Sequence, residues 1–216
     1  MATTKDLRDS IPASEKPEIL SKINDHFFPD KERVLQSFLH LRGDITIQSC
    51  GDIIDMILEK NIPTFEIDED DDTLVETPQE DVINLLITSS GGDMSAAFAL
   101  ISVMKASKIP VRTIAIGEAA SAALCILMSG HQRVVAPYTS LMSHQFNTGS
   151  EGPYHVLKNI MQELDSYHSK MIRLYVESTG LNETYIRERL LSERDYWMTP
   201  EEALDNGFVD IVSDLG

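Results

Sequence analysis

At 216 residues, with 42% hydrophobic and 25% charged side chains, the chain can bury a real core, which excludes disordered, collagen-like and fibrous classes. A formal charge of −17 without any Lys/Arg cluster repels phosphate backbones and argues against a nucleic-acid partner. Only Cys50 and Cys125 are present, without metal-ligand spacing, so neither a disulfide framework nor a structural zinc site is expected, and a reducing cytoplasm fits.

The opening stretch MATTKDLRDSIPASEKPEI has no apolar leader core, and no run of ~18 apolar residues follows, so export and membrane insertion are not expected. Residues 1–35 are polar, charge-mixed and broken by Pro12, Pro17 and Pro29, which reads as an N-terminal arm with room for a short helix over Glu18–Phe28. The remaining residues, 36–216, read as one domain. Phe38–Arg42 predicts a first strand, and Ile53, Ile54, Ile57 and Leu58 place a helix over Ile47–Lys60. Residues 66–81, EIDEDDDTLVETPQED, form a self-repelling acidic block and predict an exposed loop.

The pattern then becomes regular. An apolar strand over Val82–Thr88 leads through a Ser/Gly turn into a helix over Met94–Ala106 and a strand over Val111–Ile116. A small-residue turn, Gly117–Ala120, opens an apolar helix that ends near Gly130, and strands follow over Gln132–Ala136 and Ser140–His144. Such alternation predicts an α/β fold with a largely parallel sheet and right-handed crossovers. Residues 153–178 form a long amphipathic helix with Val156, Ile160, Leu164, Met171, Leu174 and Tyr175 near one stripe. Asn182–Leu191 predicts a helix and Tyr196–Met198 a strand. Thr199-Pro200-Glu201-Glu202 caps a helix that Gly207 closes, and Phe208–Val212 is the last strand.

Three places carry possible chemistry. In Ser89-Ser90-Gly91-Gly92-Asp93 the paired glycines, at the carboxyl end of a strand, can expose successive N–H groups to an oxyanion, or can simply give a tight turn its shape. Ser121, in Gly117-Glu118-Ala119-Ala120-Ser121-Ala122-Ala123, is either a helix N-cap or a nucleophile with small neighbours, beside which the Ala122 N–H offers a second oxyanion donor. His144 ends a predicted strand at the same sheet edge and suits a general base, although a strand histidine is more often an ordinary edge residue. Asp195 either pairs with Arg194 or accepts from the second ring nitrogen of the histidine.

Taken together, these segments resemble the Clp family of serine peptidases over roughly Val82–Asp214. Ile87-Thr88-Ser89-Ser90-Gly91-Gly92 resembles the family's oxyanion segment, usually Asn-Ser-Pro-Gly-Gly, with threonine and serine replacing asparagine and proline. Gly117-Glu118-Ala119-Ala120-Ser121 resembles its nucleophile segment Gly-Gln-Ala-Ala-Ser. Ser143-His144-Gln145 resembles the histidine segment, with Phe146 where proline is usual, and Glu193-Arg194-Asp195 resembles the segment bearing the aspartate.

The resemblance implies a Clp-peptidase/crotonase-type α/β fold of repeated β-β-α units with a projecting handle helix. It implies a Ser121, His144, Asp195 triad, oxyanion donors at Gly92 and Ala122, and no cofactor or metal. It also implies unfolded polypeptide substrates, a homo-oligomer of stacked heptameric rings, and a Clp-type AAA+ unfoldase as partner. The first eighty residues match poorly, so the acidic stretch at 66–81 reads as an insertion. Two rival readings are a ring subunit without activity and a crotonase-like enzyme acting on acyl-CoA. The latter gives the serine, histidine and aspartate no joint role.

Overall fold

A computed structural model describes residues 38–67, 73–77, 79–146, 149 and 151–213. The N-terminal arm expected over residues 1–35 lies outside them. A seven-stranded sheet forms the centre, with β1 (Phe38–Arg42), β4 (Ile83–Ser89), β5 (Val111–Ala120), β6 (Gln132–Val135) and β9 (Ile211–Val212) side by side and parallel. Strand β7 (Ser140–Ser143) joins the far half of β5 in parallel, and β8 (Tyr196–Met198) runs antiparallel to β7. The mixed α/β architecture with a mostly parallel sheet is the one the alternating pattern predicts.

Every second residue of β4 is buried, the alternation of a strand that turns one face to the core, while on the other face Asn84 accepts from Arg112 of β5. Helices α1 (Ile47–Lys60) and α2 (Met94–Ala106) turn Cys50, Ile53, Ile57, Ala97, Leu100 and Met104 into the core. Packed beside α2, α3 (Ala122–Met128) is apolar on every side and wholly buried, which is where such a helix has to lie.

The sheet departs from the sequence pattern at β5. Gly117–Ala120 reads as a turn, yet the strand continues to Ala120, because Glu118, Ala119 and Ala120 pair with Ser140, Leu141 and Met142. The register against β4 slips between Ile87 and Ser89, and Gly117 absorbs the irregularity with φ 71°. One strand thus pairs with β6 along its first half and β7 along its second.

The acidic segment also differs from a plain loop. Phe65–Ile67 (β2) and Leu74–Glu76 (β3) pair antiparallel as an exposed ribbon, with Ile67, Leu74 and Val75 inside the charged stretch and Phe65 just before it supplying the strand-forming residues.

Helix α4 (Tyr154–Thr179) has 26 residues, about 39 Å at ~1.5 Å per residue, and ends at Gly180 in the left-handed region. Its buried residues are Met171, Ile172, Leu174 and Tyr175, so only the C-terminal part of the expected stripe is covered; Val156, Ile160 and Leu164 are half-buried. The helix expected over 182–191 begins with one α-turn, α5 (Glu183–Tyr185). It then widens into a π-turn over Ile186–Leu190, closed by the Leu191 N–H on the Ile186 carbonyl at 2.8 Å.

Helix α6 (Pro200–Asp205) carries the expected capping box. The final strand is shorter than Phe208–Val212, because the Phe208 N–H is spent on the Ala203 carbonyl at 2.8 Å, closing a Schellman-type end around Gly207. Among the described residues, no helix is long and apolar enough to cross a membrane.

Candidate active site

The glycine turn is built against Ile45. The Ile45 N–H donates to the Gly91 carbonyl and the Asp93 N–H donates to the Ile45 carbonyl, both at 2.8 Å. Because C=O and N–H of one trans peptide point opposite ways, the Gly92 N–H faces away from Ile45. In the strand order β1–β4–β5 that is the side of β5 and Ser121. A Cβ on Gly92 would sit 2.3 Å from the Ile45 oxygen, and its φ of 144° suits glycine, so the shape reading of this turn holds as well. A Cβ on Gly91 would meet the Ser121 Cβ at 2.7 Å and the Ala120 oxygen at 2.9 Å, so glycine is what lets this turn approach Ser121.

Ser121 lies between β5 and α3 with φ 55° and ψ −121°, and among the described residues it is the one non-glycine with positive φ. Such backbone costs about 1–3 kcal/mol and is held by its surroundings, here by the Ser121 N–H donating to the Met142 carbonyl at 2.9 Å. Ser121 occupies the N-cap position of α3, but its hydroxyl makes no capping bond to the helix. The hydroxyl lies 2.7 Å from Nε2 of His144. The first helical N–H, that of Ala122, has no acceptor within its own helix. A strained serine on a strand-to-helix turn presents its hydroxyl clear of the strand, the device used by nucleophile elbows.

His144 follows β7 directly, the strand ending at Ser143, one residue short of the end predicted for it. The β7–β8 ladder pairs Ser143 with Tyr196, so one step further along each strand His144 faces Asp195. Nδ1 of His144 stands 3.4 Å from Oδ1 of Asp195, an ion-pair separation slightly beyond ordinary N–H···O bonds. The histidine side chain is 18% exposed and the aspartate 57%. Among the described residues, this histidine is the aspartate's ion-pair partner, not Arg194.

Sequence reasoning passed over the residues that fix His144. Ser143 is fully buried and bonds both the Tyr175 hydroxyl (2.8 Å) and the Leu190 carbonyl (2.7 Å), while the Gln145 amide donates to the Leu191 carbonyl at 2.6 Å. The available signal was a serine within the apolar strand Leu141-Met142-Ser143, since a buried hydroxyl needs partners.

The elements that hold these residues match the Clp protease family model over residues 72–215. An ATP-dependent Clp protease proteolytic subunit from Deinococcus radiodurans is 34% identical over 143 residues, covering 64% of this chain and 68% of that protein. Another so named, from Pleurastrum terricola, is 33% identical over 132 residues, covering 60% of this chain and 66% of its own. With the family match spanning the glycine turn, Ser121, His144 and Asp195, the chain belongs to the Clp protease family, a family of peptidases.

Proposed function

We propose that this chain is a serine-type endopeptidase that cuts unfolded polypeptides with Ser121, His144 and Asp195. The reading rests on one contact above all, the 2.7 Å between Ser121 Oγ and His144 Nε2 on a strained turn. The Ser121 oxygen attacks the peptide carbonyl as Nε2 takes its proton. The carbonyl electrons move to oxygen, where the N–H groups of Gly92 and Ala122 receive the negative charge. His144 then protonates the leaving amine, and the acyl-enzyme is released by water activated at the same nitrogen. Asp195 keeps the imidazole in the tautomer whose Nε2 accepts and stabilises the charged ring. The chemistry needs no metal or cofactor.

The relatives' designation as ATP-dependent Clp protease proteolytic subunits supports a proteolytic subunit that works with an ATP-driven partner. We extend this to stacked heptameric rings of the chain, supplied by a Clp-type AAA+ unfoldase in the cytoplasm. The half-covered stripe of α4 gives a physical reason to assemble, since Val156, Ile160 and Leu164 are not fully buried by this chain alone. Cleavage of an unstructured fluorogenic peptide by the assembled protein, lost in Ser121→Ala, tests the activity; equal cleavage by the variant would refute it.

A second reading, a ring subunit without activity, draws on the 3.4 Å gap and the exposure of Asp195. It predicts rings that form normally and cleave nothing.

A further inference from the structure

Resting on the reading of His144 as the base, we infer that Ser143 is a positioning residue for it, and that Tyr175 acts through Ser143. The buried hydroxyl has one proton and two partners. The Leu190 carbonyl can only accept, so Ser143 donates to it at 2.7 Å, and the Tyr175 hydroxyl therefore donates to Ser143 at 2.8 Å. The chain runs from Tyr175 O–H to Ser143 O–H to the Leu190 carbonyl in the dry core, where Ser143 and Leu190 are 0% and Tyr175 1% exposed.

Its anchor points make it more than a satisfied polar group. Leu190 is the last residue of the π-turn, and its continuation reaches Asp195 within a few residues. Gln145 binds the next carbonyl of the same segment, Leu191, at 2.6 Å. Both neighbours of His144 thus hold successive carbonyls of the segment that leads to Asp195, and the Ser143–Tyr196 pair fixes the register. Tyr175 is itself wedged edge-on against Phe208, with ring centroids 5.8 Å apart, so its hydroxyl has little freedom to leave. Without the Ser143 bond, the stretch around His144 has one side-chain tether to that segment, from Gln145, rather than two, and the imbalance falls on the backbone of His144.

The substitution pair that isolates this role is Ser143→Thr against Ser143→Val, which have nearly the same volume and differ in the hydroxyl. The readouts are the rate at which a fluorophosphonate labels Ser121, and kcat against KM on an unstructured peptide. We expect Ser143→Thr to keep most of the parent rate. Ser143→Val should lose roughly 10- to 100-fold, in kcat with KM little changed, as for a displaced catalytic group. Equal rates for the two variants overturn the inference.

Tyr175→Phe keeps the ring and guards against a variant that fails to fold. It should slow labelling a few-fold in the parent and not further in Ser143→Val. An equal loss in both backgrounds overturns the relay. Failure of fluorophosphonate to label the assembled parent refutes the nucleophile reading and this inference with it, whereas a labelled parent with equal Thr and Val variants refutes this inference alone.

Discussion

The Ser121 hydroxyl lies 2.7 Å from Nε2 of His144, and the serine reaches that distance on backbone that a non-glycine residue rarely adopts, with φ 55°. The contact and the strain belong together. The Met142 carbonyl holds the Ser121 amide from the strand that delivers His144, so the residue carrying the hydroxyl and the one receiving its proton are fixed by the same ladder.

A stability–activity trade at this position follows. Ser121→Gly should abolish cleavage, by at least about 10³-fold, and yet melt higher than the parent. Relief of about 1–3 kcal/mol of strain outweighs the roughly 0.5–1 kcal/mol that glycine adds to unfolded-chain entropy. The net gain should raise Tm by about 2–4 °C. Calorimetry of parent, Ser121→Ala and Ser121→Gly checks this, with alanine nearer the parent.

At the glycine turn, Gly92→Ala should reduce kcat by about 10²- to 10³-fold by displacing one oxyanion donor. The new Cβ cannot stand 2.3 Å from the Ile45 oxygen, so the peptide has to rotate, and the variant should also be less stable. Steady-state kinetics with a melting curve separates the two effects, because temperature-independent loss of kcat well below Tm reports the donor.

Asp195 is more than half exposed and 3.4 Å from the imidazole, so its influence is partly screened by water. Asp195→Asn should therefore cost less activity than Ser121→Ala, and the parent's advantage over it should shrink as ionic strength rises. Measuring both variants across a salt series checks the direction.

Away from the site, the Arg133 guanidinium and its backbone N–H hold the Asp210 carboxyl below the usual carboxylate range, against the opposing effect of its partial burial. A carboxyl lowered on folding adds stability that is present above its unfolded value, about 3.9, and lost as pH falls through the folded one. Melting curves of the parent and Asp210→Asn between pH 7 and pH 2.5 should show the parent ahead at neutral pH and the gap closing in acid.

The cysteines set a control for any labelling experiment. Burial pushes the Cys125 thiol up to about 12 and the Cys50 thiol up to about 11, with Asp93 adding to the latter. Neither should react with iodoacetamide at pH 8 in the folded protein, and both should react in denaturant, as peptide mapping would show.

Most of this candidate site was legible in the sequence because its parts sit where strand patterns end and their segments resemble those of the Clp peptidases. An apolar run followed by Ser89-Ser90-Gly91-Gly92, and a second followed by small residues and Ser121, mark strand-to-helix turns at one sheet edge. What periodicity could not give was set by pairing. Gly117–Ala120 has the composition of a turn, but β7, 22 residues further on, pairs with Glu118, Ala119 and Ala120, and Ser89 of β4 pairs with Ala119, so the segment is β structure. Phe208 is apolar and strand-like, yet its N–H belongs to a helix end. Ser143 and Gln145 flank the histidine in plain view, but their partners, Tyr175, Leu190 and Leu191, are distant in the chain and become visible only once it has folded.

The central claim is that Ser121 is an activated nucleophile. The most direct test is mass spectrometry of the assembled protein after exposure to a fluorophosphonate, beside Ser121→Ala. The account predicts a single adduct, on the peptide containing Ser121, and none in the variant. An unmodified Ser121 in assembled protein, or an adduct that persists in Ser121→Ala, would contradict it.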